Sequence, residues 1–144
     1  MDRGYRTQWA AQHAVASELL RLNYQAIFTP GNYRDADLTV ISPTGTHFLI
    51  DVKGQYRKAF WIISTKECSG LFYVLAYVPD REPEPNQFFV LTQEEVNAEI
   101  RRHIERVKSE RIGRGQSIER TGNVTGLLWS FAEQYRERWD KLPK

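Results

Sequence analysis

Apolar residues recur at two periods along this chain, and the alternation between them sets out its elements. From about Tyr5 to Asn23, the residues Trp9, Ala10, His13, Ala14, Ala16, Ser17, Leu19 and Leu20 recur at roughly helical spacing, which predicts a helix with these positions on its apolar side. Asn23 suits the left-handed position that ends such a helix. Tyr24–Phe28 then reads as a short strand stopped by Thr29-Pro30-Gly31-Asn32. Leu38-Thr39-Val40-Ile41 and Phe48-Leu49-Ile50 flank the turn residues Pro43-Thr44-Gly45, so 37–53 reads as a hairpin. Ala59–Ile63 is expected to add a third strand to that sheet. Leu71–Val78 is almost wholly apolar, the pattern of a central strand covered on both faces, and Pro79 ends it. After the polar, proline-rich stretch Arg81–Asn86, the run Gln87–Leu91 gives the last strand. Thr92, with Glu95 three residues on, forms a capping box for a helix through about Val107.

Beyond that helix the character changes. Over 108–126, Lys108, Arg111, Arg114 and Arg120 interleave with Gly113, Gly115, Gly122 and Gly126, which predicts a flexible basic loop. Leu127, Leu128, Trp129, Phe131, Tyr135 and Trp139 return to helical spacing and predict a C-terminal helix over about 127–139. No internal repeat or long linker divides the chain. The expectation is one α/β domain over 1–144 with a core of about 4–107: an N-terminal helix, a mixed sheet of five to six strands, and C-terminal helices.

Composition narrows the functional classes. The 144 residues are 41% hydrophobic and include four tryptophans, enough to build one core and too apolar for a disordered tail. The single cysteine, Cys68, has no partner within the chain, which favours a reducing compartment. Neither a leader-like segment nor an 18-residue apolar run is visible, so the expected location is cytoplasmic, with no membrane partner. A formal net charge of +2 permits a polyanionic partner without requiring one.

The chemistry is concentrated in the predicted hairpin. Asp37 opens one apolar run, and the triplet Asp51-Val52-Lys53 closes the other. Successive side chains of a strand point to opposite faces, so Asp51 and Lys53 share a face while Val52 turns to the core. Hydrolysis of a phosphodiester needs an activated water and stabilisation of developing negative charge, both of which hard divalent cations supply. Mg²⁺ is commonly held by one or two carboxylates with phosphate oxygens and waters. Asp37 and Asp51 would supply the carboxylates, with the Val52 backbone carbonyl as a third ligand. Lys53 would orient the water or neutralise charge, and its carboxylate neighbours favour its protonated form.

These residues resemble the PD-(D/E)XK nuclease superfamily of restriction endonuclease-like folds, and within it the archaeal-type Holliday junction resolvase branch. The family pattern is a helix, an acid opening a strand, then D/E-x-K ending the next strand. Here Asp37, Asp51 and Lys53 match it, over roughly residues 4–91. The resemblance implies a Mg²⁺- or Mn²⁺-dependent endodeoxyribonuclease with DNA as partner, and a homodimer, since two sites cut two strands. Resolvase-like members carry a helix glutamate in a pattern resembling G-x-x-x-E...LL-x-x-G-Y. Aligning Leu19-Leu20-Arg21-Leu22-Asn23-Tyr24 with its ending puts Gln12 at the glutamate position, a departure that removes one charge. Glu18, six residues on, falls near the opposite side of the helix. Gln55 shares the face of Lys53 if the strand continues, making it a second accessory candidate, and Gly54 marks a bulge or a close approach.

Arg34, Arg57, Lys58 and Lys66 flank the motif and, with Arg111 and Arg114, are candidates for backbone-phosphate contacts, which position a nucleic acid without reading it. The alternative for each is an ordinary solvated surface. His13, His47 and His103 lack metal-ligand spacing. Asp35 is expected to solvate a turn, Cys68 to be inert, and Trp61, Phe72, Tyr73, Phe88 and Phe89 to fill the core. Two other functional classes stay open: a nucleic-acid-binding or assembly module that has lost turnover, and an RNase or other phosphodiesterase.

Overall fold

The computed structural model describes residues 1–30, 35–80 and 83–144. Its centre is a five-stranded mixed sheet in the order β1-β2-β3-β5-β6, formed by Gln25–Phe28, Leu38–Ile41, His47–Gln55, Leu71–Tyr77 and Gln87–Thr92. The expected hairpin forms, with Leu38 opposite Ile50 and Ile41 opposite His47. β5 lies parallel to β3, pairing Leu49 with Leu71 through to Gln55 with Tyr77, and β6 runs antiparallel to β5. Helices flank both faces, which is the mixed α/β architecture expected.

Alternation along β3 and β5 sends side chains into two separate cores. Phe48, Ile50 and Val52, with Val74 and Ala76, meet Ala11, Val15 and Leu19 of helix α1 (Arg3–Arg21). Leu71, Tyr73 and Leu75 face the other way, toward Val96 and Ile100 of helix α2 (Gln93–Gly113). The predicted capping box starts α2: Glu95 N donates to Thr92 Oγ1 at 3.1 Å and Thr92 N donates to Glu95 Oε1 at 2.9 Å.

Four expectations need correction. The buried stripe of α1 is Ala11, Val15, Ala16 and Leu19, whereas Trp9, Ala10, His13, Ser17 and Leu20 are exposed. Close approach explains this: a Cβ on Gly54 would sit 2.5 Å from the Cβ of Ala11, so only small side chains fit between α1 and β3 at that point. Ala59–Ile63 does not join the main sheet; Trp61–Ile62 (β4) pairs instead with Gly126–Leu127 (β7), because β5 takes the open flank of β3. Gly126 permits this pairing, since a Cβ there would lie 1.7 Å from the Trp61 carbonyl oxygen. Residues 108–113, read as loop, continue α2.

The C-terminal segment is not one helix over 127–139. A short α3 (Trp129–Ala132) gives way to single 3-10 turns at Glu133–Tyr135 and Trp139–Lys141, with Glu137 at a φ of 56° interrupting any continuation. The aromatic side chains do return to the domain: Trp129 stacks on Trp61 at 5.8 Å, and Trp139 lies 5.7 Å from Phe88. No helix among the described residues is long and apolar enough to cross a membrane.

Candidate active site

The site forms where β2 and β3 part. Their last ladder bond runs from Asp37 N to Ile50 O at 2.9 Å, so from Val52 onward that edge of β3 has no strand beside it among the described residues. Exposed strand edges need other partners, and side chains provide them here. Val52 N donates to Asp37 Oδ2 at 2.7 Å, and the Gln8 amide bridges the next two groups, donating to Val52 O at 2.7 Å and accepting from Gly54 N at 2.9 Å. Gln12, one helical turn further along α1, donates to Asp37 Oδ1 at 3.2 Å.

Around this parting lies a pocket of about 300 Å³ lined by Gln8, Ala36, Asp37, Asp51, Val52, Lys53 and Lys66. Asp51 is 3% exposed, a carboxylate buried deeply enough to demand compensation. Two lysines supply it: Lys53 Nζ lies 3.2 Å from Oδ1, and Lys66 Nζ donates to Oδ2 at 2.5 Å. The four charges sum to zero, but their distribution is uneven. Burial pushes the Asp37 carboxyl above its ordinary range; the Val52 amide opposes this, the Asp51 charge adds to it, and Lys53 and Lys66 oppose it more weakly. Tyr73, opposite Asp51 in the register, is pushed far above its usual value by burial and then by the Asp51 charge, so its phenol stays neutral. Its buried hydroxyl has no hydrogen-bond partner among the described residues.

The predicted trio Asp37, Asp51 and Lys53 therefore converges, and Gln12 joins it through Asp37. Other candidates fall elsewhere. Gln55 Nε2 donates to Ala59 O at 3.0 Å, closing the turn after β3 instead of serving the pocket. Arg57 lies over the Tyr56 ring, and Lys58 sits 3.5 Å from Glu84, both beyond the pocket. Arg111 and Arg114 stand at the far end of α2, on the order of 20 Å along its axis from Asn97 at a rise of ~1.5 Å per residue. Arg34 lies outside the described residues. The Val52 carbonyl already accepts from Gln8, leaving one lone pair for any ligand role. Of Asp35, the backbone carbonyl approaches the site, 3.2 Å from Lys66 Nζ. His13 and His47 are exposed and His103 rests on Phe60, away from the pocket, and Trp61, Tyr73, Phe88 and Phe89 are core residues as expected.

Sequence reading missed Gln8, and it placed Lys66 among the phosphate-contact candidates without its pairing to Asp51 in the pocket. Gln8 stands one turn before Gln12, so the helical spacing of two polar residues was the available signal. Lys66 had no such signal, since it reaches Asp51 through tertiary contacts. The segment carrying it is not regular structure, yet two buried amides of α2 hold its backbone. Asn97 Nδ2 donates to Lys66 O at 2.7 Å while Lys66 N donates to Asn97 Oδ1 at 3.3 Å, and Gln93 makes the same pair of bonds to Cys68 at 2.9 and 2.7 Å.

The donor set is compatible with an oxygen-seeking divalent cation. Two carboxylates border one pocket, and burial, with a smaller contribution from the Asp51 charge, raises Asp37, a cost of the kind that a bound cation relieves. A cluster of three or more acidic, histidine or cysteine ligands is not found among the described residues. No family model matches this chain, and comparisons with curated proteins and with solved structures return no match.

Proposed function

We propose that the protein is a Mg²⁺- or Mn²⁺-dependent endonuclease of the PD-(D/E)XK type that hydrolyses DNA phosphodiester bonds, cytoplasmic and acting as a homodimer. The observation that carries this reading is the convergence on one pocket of Asp37, just before β2, with Asp51 and Lys53 of β3. Asp37 and Asp51 would hold the cation, which when bound would polarise the phosphate and lower the pKa of a water. Lys53, a third exposed and held by Asp51, is placed to orient the attacking water and to meet the charge that builds on the phosphate oxygens. Lys66 adds a second cation facing the same pocket, and Asn97 fixes the backbone from which it reaches. Gln8 and Gln12 hold β3 and Asp37 in register without adding charge.

A second reading is a nucleic-acid-binding module without turnover. It is favoured by one feature: both oxygens of Asp51 are engaged by lysines, with a glutamine in place of a third acid. A phosphodiesterase acting on RNA shares the first mechanism and differs only in substrate. The deciding experiment is cleavage of labelled linear, single-stranded and four-way-junction DNA, and of matched RNA, with Mg²⁺ or Mn²⁺. Metal-dependent cutting lost in both Asp51→Ala and Lys53→Ala is the expected result. Binding without cutting of any substrate would establish the module instead.

A further inference from the structure

Helix α1 carries more apolar surface than the core uses. Tyr5, Trp9 and His13 stand four residues apart on its outer side, exposed, and Phe28 at the end of β1 completes the file. The rings touch in sequence: Tyr5 to Trp9 at 6.2 Å, Trp9 to His13 at 6.1 Å, and His13 to Phe28 at 4.8 Å. His13 Nδ1 is bonded to Trp9 O at 2.9 Å, which fixes its ring in place. Trp9 is 41% and Tyr5 56% exposed, large aromatic faces that burial within the domain does not explain.

This file borders the candidate site. Gln8 and Gln12, which contact Val52 and Asp37, alternate with Trp9 and His13 along α1. Phe28 precedes Thr29, whose backbone N donates to Asp37 O at 3.0 Å. A strand whose phosphate meets Lys53 and Lys66 would therefore bring its neighbouring bases against the rings. Their spacing of about 6 Å is nearly twice the ~3.4 Å advance per nucleotide of a stacked strand, so bases lying on successive rings must be parted from one another. Aromatic side chains bind such bases by stacking, largely regardless of sequence.

We propose that Tyr5, Trp9, His13 and Phe28 form a stacking surface for unpaired bases, making the substrate a single strand or an unpaired region of DNA. The inference rests on the nuclease reading for the position of the phosphate. It commits to nucleic acid over a second copy of the chain because Gln8, beside Trp9 on α1, lines the pocket that holds Lys53 and Lys66.

The test is fluorescence anisotropy in EDTA with labelled oligothymidylate and an abasic sugar-phosphate strand of equal length. The wild type is expected to prefer the base-bearing strand by on the order of tenfold or more. Trp9→Leu keeps apolar bulk without a π face and should cut the preference by about fivefold or more, as should Phe28→Ala, while Trp9→Tyr retains it. Equal affinity of the wild type for both strands overturns the proposal. So does a Trp9→Leu variant that keeps the base preference but loses self-association in sedimentation velocity, which would assign the rings to contact between copies. Base-dependent binding without Mg²⁺-dependent cleavage leaves the stacking surface standing and removes the nuclease reading; cleavage with no preference for bases does the reverse.

Discussion

The two faces of β3 differ more than their one-residue offset suggests. On the α1 side, Phe48, Ile50, Val52 and Gly54 meet a closely docked helix, and the three large side chains are buried in a wholly apolar layer. On the other side, Asp51 and Lys53 turn toward a pocket, with a buried charge held between two lysines. In the nuclease reading, stability and chemistry thus occupy alternate residues of one strand. The consequence is that substitutions two residues apart should share a phenotype, while adjacent ones should not. Lys53→Ala gives the largest expected effect, a loss of ~10²–10⁴-fold in cleavage rate, as for removal of a positioned proton-transfer or charge-stabilising group. Asp51 keeps Lys66 as a partner in this variant, so the melting temperature should move little. A cleavage rate within a few-fold of wild type would sink the assigned role.

Phe48→Ala is the counterpart on the other face. Phe48 is buried and meets Tyr24 and Phe72 edge-on at 5.9 and 5.5 Å, so truncation leaves a cavity costing about 3–5 kcal/mol. Urea denaturation should report that loss, while cleavage per folded molecule stays near wild type. A variant that loses activity at full stability would show that the two faces are coupled.

Gly54→Ala probes how closely that apolar face is approached. The added methyl would meet Ala11 Cβ at 2.5 Å and the Thr7 carbonyl oxygen at 3.2 Å, so α1 must move outward. Overpacking of this kind costs about 1–3 kcal/mol. Because Gln8 on α1 holds Val52 and Gly54, the displacement should also slow cleavage. Adding Ala11→Gly should recover part of both losses, and thermal melts with paired cleavage assays on the two variants check this. If the double variant is merely the sum of two losses, the close contact is not the cause.

The same contrast explains what could be read from the sequence. The hairpin and the Asp37, Asp51, Lys53 trio were legible because alternation and turn chemistry are local. The capping box at Thr92 was legible for the same reason. Trp9 misled because its hydrophobicity suggests burial, whereas the Ala11–Gly54 contact selects small residues for the buried stripe. Ala59–Ile63 has strand-like composition, yet its partner is fixed by Gly126, far along the chain. The pairing of Lys66 with Asp51 and the support from Gln93 escaped because they form only in three dimensions, between residues distant along the chain. Arg111 and Arg114 shared the site's charge type but not its location.

The smallest predicted effect concerns α2, whose first turns hold the segment that carries Lys66. Glu95 accepts from Thr92 N at 2.9 Å and from Lys141 Nζ at 2.9 Å, tying the helix start to the C-terminal turn. Burial draws the Glu95 carboxyl upward, but the Thr92 and Lys141 hydrogen bonds outweigh it and hold the group below its ordinary value of 4.5. A carboxyl lowered by folding stabilises the folded state above its unfolded pKa, and that contribution fades as pH falls through the folded value. Glu95→Gln keeps the capping acceptor and removes only the charge, so it should cost ~0.3–1 kcal/mol at neutral pH, the scale of a carboxylate at a helix N-terminus. The two proteins' stabilities should converge as pH falls below 4.5 and on through the lowered folded value, where the wild-type carboxyl protonates too. Thermal melts from neutral to acid pH measure this directly: curves that stay parallel would mean that the charge of Glu95 contributes nothing. Melts with a neutral-pH gap that closes, while cleavage at neutral pH stays unchanged, would place this contact with the apolar face of β3, as support for the fold and not for the chemistry.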